Sequence, residues 1–396
     1  MMQISPETQL FIREHSSDDV RVLALQAKKY PDIDMPTAIT QIAGRKVAAE
    51  KIPSWWEIEK IWYPKHLSLE QCSSEITARY KARLLQGDSL TDLTGGFGID
   101  CSFLATGFKS ATYVERQEEL CEIAAHNFPV LNLNHINIKN EDGVTYLQVM
   151  SPVDCLFLDP ARRNEHGGKT VAISDCEPNV AELEELLLQK ANRVMIKLSP
   201  MLDLSLALKE LKQTQEVHIL SVNNECKELL ILLGQTSPAE ISIHCVNLFT
   251  KGTQKEQHFV FTREQEQCSE CTYTDSLETY LYEPNASLLK AGAFRSIAAA
   301  YPVRKLHPNS HLYTSDTFIE NFPGRIFRIV NQCSFNKKEV KENLAALKKA
   351  NVPVRNFPAT VAELRKRIHL AEGGDTYLFA STLNNGQKVL IRCEKV

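Results

Sequence analysis

The sequence predicts an α/β protein: a doubly wound, mainly parallel sheet, preceded by a helical region and followed by a small α+β portion. Three observations predict it. From residue 88 to about 234, short apolar runs alternate with stretches of helical period, the pattern of strand–helix–strand units. The first run leads into the glycine-rich segment Thr91-Asp92-Leu93-Thr94-Gly95-Gly96-Phe97-Gly98, and the fourth ends in Asp159-Pro160-Ala161-Arg162. Both segments are expected at the carboxyl edge of one sheet, where open α/β sheets bind ligands.

Taken in order, residues 1–85 read as helical. Val22, Leu23, Leu25 and Ala27 follow helical spacing, and Pro31, Pro36, Pro53 and Pro64 break the run. Strands are then predicted at Leu90–Leu93, Ala111–Glu115, Ile136–Asn140, Val153–Leu158, Arg193–Leu198 and Val217–Val222, with the clearest helices at 117–127 and 179–192. Val222-Asn223-Asn224-Glu225 should turn the chain back into Leu229–Leu233 as an antiparallel finish. Glu240–Leu248 and His258–Thr262 are further strands, and polar residues 263–278 mark a boundary. A compact module at 279–320 follows. The last part reads as strand (Ile326–Val330), helix (Lys337–Lys349), strand (Val352–Asn356), helix (Thr360–Leu370), and two strands joined at Asn384-Asn385-Gly386, where a type I′ turn is expected.

Composition narrows the class. The 396 residues suit two or three domains, and 43% hydrophobic with 24% charged residues is ordinary for a globular protein in water. No run approaches the roughly 20 apolar residues that span a bilayer. The start, Met1 to Phe11, lacks the basic-then-apolar order of a secretory signal. The 11 cysteines, mostly single and inside apolar strands as at Cys155, Cys226 and Cys245, read as buried hydrophobes of a reducing compartment. A cytoplasmic location is expected. The net charge of −4 conceals an asymmetry: residues 321–396 hold 14 Lys and Arg against 6 Asp and Glu. A basic end on an acidic body suits a nucleic-acid-binding appendage, and it equally suits a solvated helix face.

One acidic residue falls at or near each of four predicted strand ends: Asp92, Glu115, Asp142 and Asp159. That series matches the polar groups of a methyl-donating sulfonium nucleoside. Gly96 and Gly98 let backbone approach the amino-acid part, and Asp92 would organise the turn and the cationic end. Glu115 would accept from both ribose hydroxyls, each charge-assisted bond contributing about 1.5–3 kcal/mol. Asp142 would meet the exocyclic amine of adenine. A nicotinamide dinucleotide is the competing ligand, but its fingerprint requires a further glycine where this chain has Cys101. A ligand-free glycine turn is the third alternative.

With these residues in place, the chain resembles the class I S-adenosylmethionine-dependent methyltransferases over about residues 70–265. Asp92, Gly96 and Gly98 match that family's first motif, Glu115 and Asp142 its second- and third-strand acids, and Asp159-Pro160 its fourth motif. Glu70-Gln71-Cys72-Ser73-Ser74-Glu75-Ile76-Thr77-Ala78 is similar to the segment that closes over the donor in RNA cap guanine-N2 methyltransferases. Asn224–Glu228 and Val352-Pro353-Val354-Arg355-Asn356-Phe357 resemble a bacterial methyltransferase family with a THUMP-like C-terminal domain. The resemblance implies a Rossmann-like class I methyltransferase sheet at 86–265 after a helical domain at 1–85, then a small ferredoxin-like module at 279–320 and a THUMP-like domain at 321–396. It implies S-adenosyl-L-methionine as cofactor, held by Asp92, Thr94, Gly95, Gly96, Phe97, Gly98, Glu115, Arg116, Asp142, Gly143 and Asp159, with Gln71 and Ser73. Catalysis would fall to Asp159, Pro160 and Arg162, no metal is implied, and structured RNA such as tRNA or rRNA is the expected partner.

At the reacting end the sequence departs from amino-group methyltransferases. Asp159-Pro160 keeps the hydrogen-bond acceptors that aim an amine, but Ala161-Arg162 replaces a proline and an aromatic, so any stacking falls to the Arg162 guanidinium or to another group. Asp-Pro-x-Arg also resembles RNA uridine C5-methyltransferases, whose chemistry needs a cysteine nucleophile. Cys226 comes nearest in chain order but is expected to be a buried thiol. Arg162–Lys169 reads as a basic loop suited to phosphate, and Asn224-Glu225 as a candidate pocket lining. Lys197-Leu198-Ser199-Pro200 reads as strand termination. Cys268 and Cys271 form a lone pair at zinc-like spacing, short of the four ligands of a closed site. Trp55, Trp56 and Trp62 are expected as core or domain-contact residues rather than a base-stacking platform, and His307, His311 and His369 do not group. Lys337, Lys338, Lys341, Lys348, Lys349 and Arg365-Lys366-Arg367 could bind phosphate if they share a face. A small-molecule or protein methyltransferase, an RNA-binding protein with a degenerate fold, and a nicotinamide dehydrogenase stay open as alternatives.

Overall fold

The computed structural model describes residues 4–162, 172–236, 238–345 and 347–396. The chain divides into two compact units, residues 1–216 with 229–238, and 217–228 with 239–396. The principal sheet has nine strands: β1 (Ser89–Asp92), β2 (Ser110–Glu115), β3 (Ile136–Asn140), β4 (Val153–Leu158), β5 (Ala191–Leu198), β6 (Thr214–Val222), β7 (Glu225–Gly234), β8 (Ser242–Leu248) and β9 (Glu256–Thr262). Their order is β9-β8-β6-β7-β5-β4-β1-β2-β3.

In the first unit, β1 to β5 are all parallel, with Leu90 opposite both Ala111 and Cys155, while β7 runs antiparallel to β5, Leu198 facing Leu229. The expected antiparallel finish is therefore present. Strands buried on both faces read as unbroken apolar runs. Leu156–Leu158 and Leu229–Leu233 have at most 1% exposure along their whole length. Asn223 and Asn224 make the turn between β6 and β7 with φ of 50° and 68°, the two left-handed residues of a type I′ hairpin.

Helices cover the parallel strands. Glu118–Val130 buries Leu120, Ile123, Ala124, Asn127 and Phe128, and Val180–Lys190 buries Val180 and Leu187. Residues 4–85 form a series of helices, of which Pro6–Glu14, Val20–Leu25 and Met35–Lys51 are capped by the side chains of Ser5, Asp19 and Asp34. Met35–Lys51, capped by Asp34, is the longest and packs Met35, Ala38 and Ile42 against Phe11 and Leu23. Ala48, Ile52, Trp55, Ile61 and Tyr63 share one core with Phe97, Ile99 and Ile123, so the leading helices and the glycine segment are built on common packing.

The second unit contains a six-stranded sheet: β10 (Tyr280–Pro284), β11 (Arg304–Lys305), β12 (Tyr313–Ser315), β13 (Gly324–Ser334), β14 (Thr376–Thr382) and β15 (Lys388–Lys395), ordered β11-β12-β10-β13-β15-β14. Helices Lys337–Leu344 and Val361–Ile368 bury Leu344 and Leu364 with Cys333, Leu378 and Leu390. Two local expectations need correction. Val352–Asn356 contributes only isolated bridges, Asn351 to Tyr377 and Val354 to Ala380, because Pro353 has no N–H with which to continue a ladder. At Asn384-Asn385-Gly386 only Gly386 has positive φ (86°), and Gly386 N–H donates to Leu383 O while Leu383 N–H donates to Gln387 O. The hairpin is thus a type I turn closed by a left-handed glycine, not type I′, since the loop holds one residue more than a two-residue turn. No described helix is long and apolar enough to cross a membrane.

Candidate functional site

The loop after β1 is a chain of backbone bonds. Leu93 N–H donates to Phe157 O, Gly95 N–H to Val114 O, and Gly98 N–H to Gly95 O. Thr94 N–H donates to Asp92 Oδ1 at 3.0 Å, and Asp159 N–H donates to Thr94 Oγ1 at 2.6 Å. Thr94 thereby ties the glycine loop to the end of β4. Two glycines have different reasons to be glycine. A Cβ on Gly95 would stand 2.3 Å from the Tyr113 ring, which is fixed by its hydroxyl donating to Gly96 O at 2.5 Å. Gly96 has φ +54°, and a Cβ there would meet nothing nearer than Thr94 O at 3.8 Å. A side chain there would clash with nothing, so the left-handed φ and not crowding is what calls for glycine.

The acidic residues differ in their surroundings. Asp92 is 1% exposed, and its Oδ2 has no hydrogen-bond partner among the described residues. Burial pushes its carboxyl up to about 8, helped by Asp100 and Asp159 and opposed by the Thr94 N–H and Lys197. An orphaned oxygen on a buried acid at the start of a glycine loop fits a ligand that carries a cationic N–H donor. Glu115 accepts from Gly96 N–H through Oε2 (2.8 Å) and from Gln117 N–H through Oε1 (2.9 Å). Both oxygens are thus anchored, and each keeps a lone pair for a hydroxyl. Asp142 caps helix Gly143–Val149, taking the Val144 and Thr145 N–H groups on Oδ1 alone. A Cβ on Gly143 would lie 2.1 Å from Leu93 O, so this glycine sets the Asp142 turn directly against the end of β1.

Sequence reasoning missed the most buried ionic group of the site. Lys197, on β5, lies 2.6 Å from Asp159 Oδ2, 3.1 Å from Asp100 Oδ2 and 2.9 Å from Ser73 Oγ. Lys81, on helix Glu75–Ala82 and fully buried, lies 2.9 Å from Asp100 Oδ1 and 2.8 Å from Ser73 Oγ. Ser73 donates to Asp100 Oδ2 at 2.7 Å, so its hydroxyl is saturated. Burial works against the Asp100 carboxylate, but Lys197 and Lys81 outweigh it, together with hydrogen bonds from Lys81 and Ser73, and hold the carboxyl well below the usual range. Burial raises Asp159, with Lys197 opposing. The signal for Lys197 was a lysine inside the apolar run Val194-Met195-Ile196-Lys197-Leu198, and for Lys81 a lysine on the buried face with Thr77 and Ala78.

The remaining expected residues divide. Ser73 joins the ionic group, whereas Gln71 is exposed at the end of helix His66–Gln71. Phe97 packs against Trp55 (5.2 Å between ring centroids) and is 4% exposed, so only its backbone can serve a ligand. Arg116 is exposed, 3.7 Å from Glu177. Pro160 is buried, and Ala161–Arg162 pairs with Cys176–Glu177 as a two-stranded ribbon. The rest of the basic loop, 163–169, lies outside the described residues. Asn224 does not line a pocket as a free side chain: it forms the hairpin turn, and its Oδ1 accepts the Ala286 N–H. The Cys226 thiol is pushed up to about 11 by burial, which disfavours the thiolate a nucleophile needs. Trp55 is core and Trp62 stacks on His126 at 3.7 Å, but Trp56 is exposed, with the Arg45 guanidinium over its ring, and is not a core residue. His258 pairs with His244 (Nε2 to Nδ1, 3.1 Å), and His244 stacks on His218.

Comparison with known proteins agrees with this architecture. Residues 280–323 match a ferredoxin-like domain model and residues 324–395 a THUMP domain-like model. A candidate methyltransferase of Porphyromonas gingivalis W83 is 34% identical, with all of both chains covered and a TM-score of 0.87. An rRNA methylase of Streptococcus thermophilus (15% identity, 40% of this chain, 93% of that one, TM-score 0.29) and a candidate methyltransferase of Streptococcus mutans crystallised with SAH (14%, 40%, 96%, 0.30) overlay too loosely to carry argument. A search of curated proteins found no significant match. With full-length identity to the Porphyromonas protein, a Rossmann-like sheet and both C-terminal modules, the chain belongs to the family of methyltransferase-fold proteins that end in a ferredoxin-like and a THUMP-like domain.

Proposed function

We propose that this protein is an S-adenosyl-L-methionine-dependent methyltransferase acting on a base nitrogen of structured RNA. The observation that carries the reading is the buried Asp92 Oδ2, without a hydrogen-bond partner among the described residues, at the start of the glycine loop. Asp92 would take the ammonium of the donor, the Gly95–Gly98 backbone its amino-acid part, Glu115 the ribose hydroxyls and Asp142 the adenine amine. The bound donor supplies an electrophilic methyl group on sulfur, so no metal is needed for the transfer. Asp159 then orients the acceptor nitrogen: Lys197 holds its Oδ2, and Oδ1 is left for an N–H of the base. The Porphyromonas relative's name as a methyltransferase supports the reaction class.

RNA as the partner is supported by the THUMP-like module at 324–395 and by its surface. Lys337, Lys338, Lys341, Lys348, Lys349, Lys366 and Arg367 are all exposed, and exposed basic side chains that meet phosphates bind them in a salt-dependent way. We further read residues 279–320 and 321–396, whose strands share one six-stranded sheet, as serving that contact together, and the cytoplasm as the compartment. The test is transfer of tritium from methyl-labelled S-adenosyl-L-methionine into total cellular RNA. Label should enter RNA with the native protein and not with Asp159→Ala. Label that enters no RNA, or enters equally with the variant, refutes the reading.

A further inference from the structure

The ionic group beneath Asp159 does more than neutralise a buried acid. Its members alternate in sign: Lys81, Asp100, Lys197, Asp159, with Ser73 Oγ bonded to the first three. Only the last carboxylate is substantially open, its side chain 37% exposed against 0%, 10% and 9% for Lys81, Asp100 and Lys197. Helix Glu75–Ala82, helix Ile99–Ala105 and β5 supply the first three members, and Asp159 follows the end of β4. We propose that Lys197 is the positioning residue for the acceptor end of the site, gripping Asp159 by Oδ2 so that Oδ1 receives the acceptor N–H and then its proton.

The inference rests on the methyl-transfer reading above, and its electrostatics can be followed atom by atom. The acceptor nitrogen's lone pair forms the bond to the methyl carbon, and the carbon–sulfur pair stays on sulfur. The nitrogen, now bearing a surplus proton, gives it to the Asp159 carboxylate. One positive charge is lost at sulfur and one arrives at Asp159, so the net charge of the buried region stays constant. When Asp159 is neutralised, Lys197 keeps Asp100 as its partner and is never left as an isolated buried cation, whose cost would be several kcal/mol. A single Lys–Asp pair would lack that property. The groups facing Asp159 are Lys197 from β5, Asp100 and Lys81 from the two helices, and Asp92 from β1.

The test needs no known acceptor. In the full-length protein with ¹³C-carboxyl aspartate, the Asp159 signal is identified by its loss in Asp159→Asn and followed against pH. Lys197→Met should raise its midpoint by about 1–3 pH units, the range for removal of an adjacent opposite charge, and Lys197→Arg should restore most of it. With total RNA as methyl acceptor, the acid limb of transfer should move up by the same amount in Lys197→Met while the Kd for S-adenosylhomocysteine stays within about threefold. An unmoved midpoint, or an activity lowered equally at every pH, overturns the proposal and leaves Lys197 a structural ion. A native protein that binds no S-adenosylmethionine refutes the donor reading instead, and the carboxyl titration still decides the case of Lys197.

Discussion

Asp92→Asn is the perturbation that interrogates the donor pocket most sharply. In the free protein the Asp92 carboxyl is raised from 3.8 to about 8, first by burial. At pH 7 it therefore carries a proton in roughly nine of ten molecules. An ammonium placed against Oδ2 favours the ionised form, so binding at pH 7 should release up to about 0.9 proton. By the same linkage the apparent affinity should fall about 50-fold from pH 8 to pH 6, or about 2.3 kcal/mol. Asparagine cannot ionise, so its proton release from this site is zero. Titration calorimetry with S-adenosylhomocysteine in phosphate and in Tris separates the two, because the buffers differ in ionisation enthalpy. The ligand's own amine titrates against both proteins and cancels in the difference. The sign for stability runs the other way. A raised acid favours the fold fully below pH 3.8, and that contribution is lost as pH rises towards 8, so Asp92→Asn should stabilise the unliganded protein at pH 8. Equal buffer dependence in native and variant proteins would refute the reasoning.

Four further outcomes are expected. Gly95→Ala drives a methyl into the Tyr113 ring at 2.3 Å, and should cost about 1–3 kcal/mol in urea unfolding together with donor affinity. Lys81→Met strips the fully buried partner from Asp100, and chemical denaturation should show a loss of about 3–5 kcal/mol. Glu115→Ala should weaken S-adenosylhomocysteine by about 1–3 kcal/mol in calorimetry, and it also frees the Gly96 N–H that Glu115 now receives. Lys348→Glu with Lys349→Glu should weaken RNA binding in a gel shift and lower the slope of log K against log salt by about 1–2, with donor affinity unchanged.

Most of the principal sheet was legible because its parallel strands are apolar runs separated by helices, so β1 to β7 fall within a few residues of their expected positions. Legibility failed where tertiary contact decides. Phe97 reads as part of a glycine motif, yet its ring belongs to the core with Trp55, a contact that only the packing of the leading helices creates. Gly143 reads as a ligand glycine, while the Leu93 carbonyl is what excludes a side chain there. Lys81, Asp100 and Lys197 are distant in sequence, and no local pattern predicts that one serine hydroxyl joins them. A lysine inside a buried strand was the available clue. Turn type at Asn384-Asn385-Gly386 depended on loop length, which residue identity alone misjudged by one.

The central claim, that a methyl-donor nucleoside lies over Gly95–Gly98 between Glu115 and Asp142 with its methyl towards Asp159, is tested most directly by a crystal structure with S-adenosylhomocysteine. The ligand's ammonium should meet Asp92 Oδ2 and its ribose hydroxyls Glu115, with the sulfur turned towards Asp159. Ligand density elsewhere, or an Asp92 Oδ2 still without a partner in the complex, would contradict it.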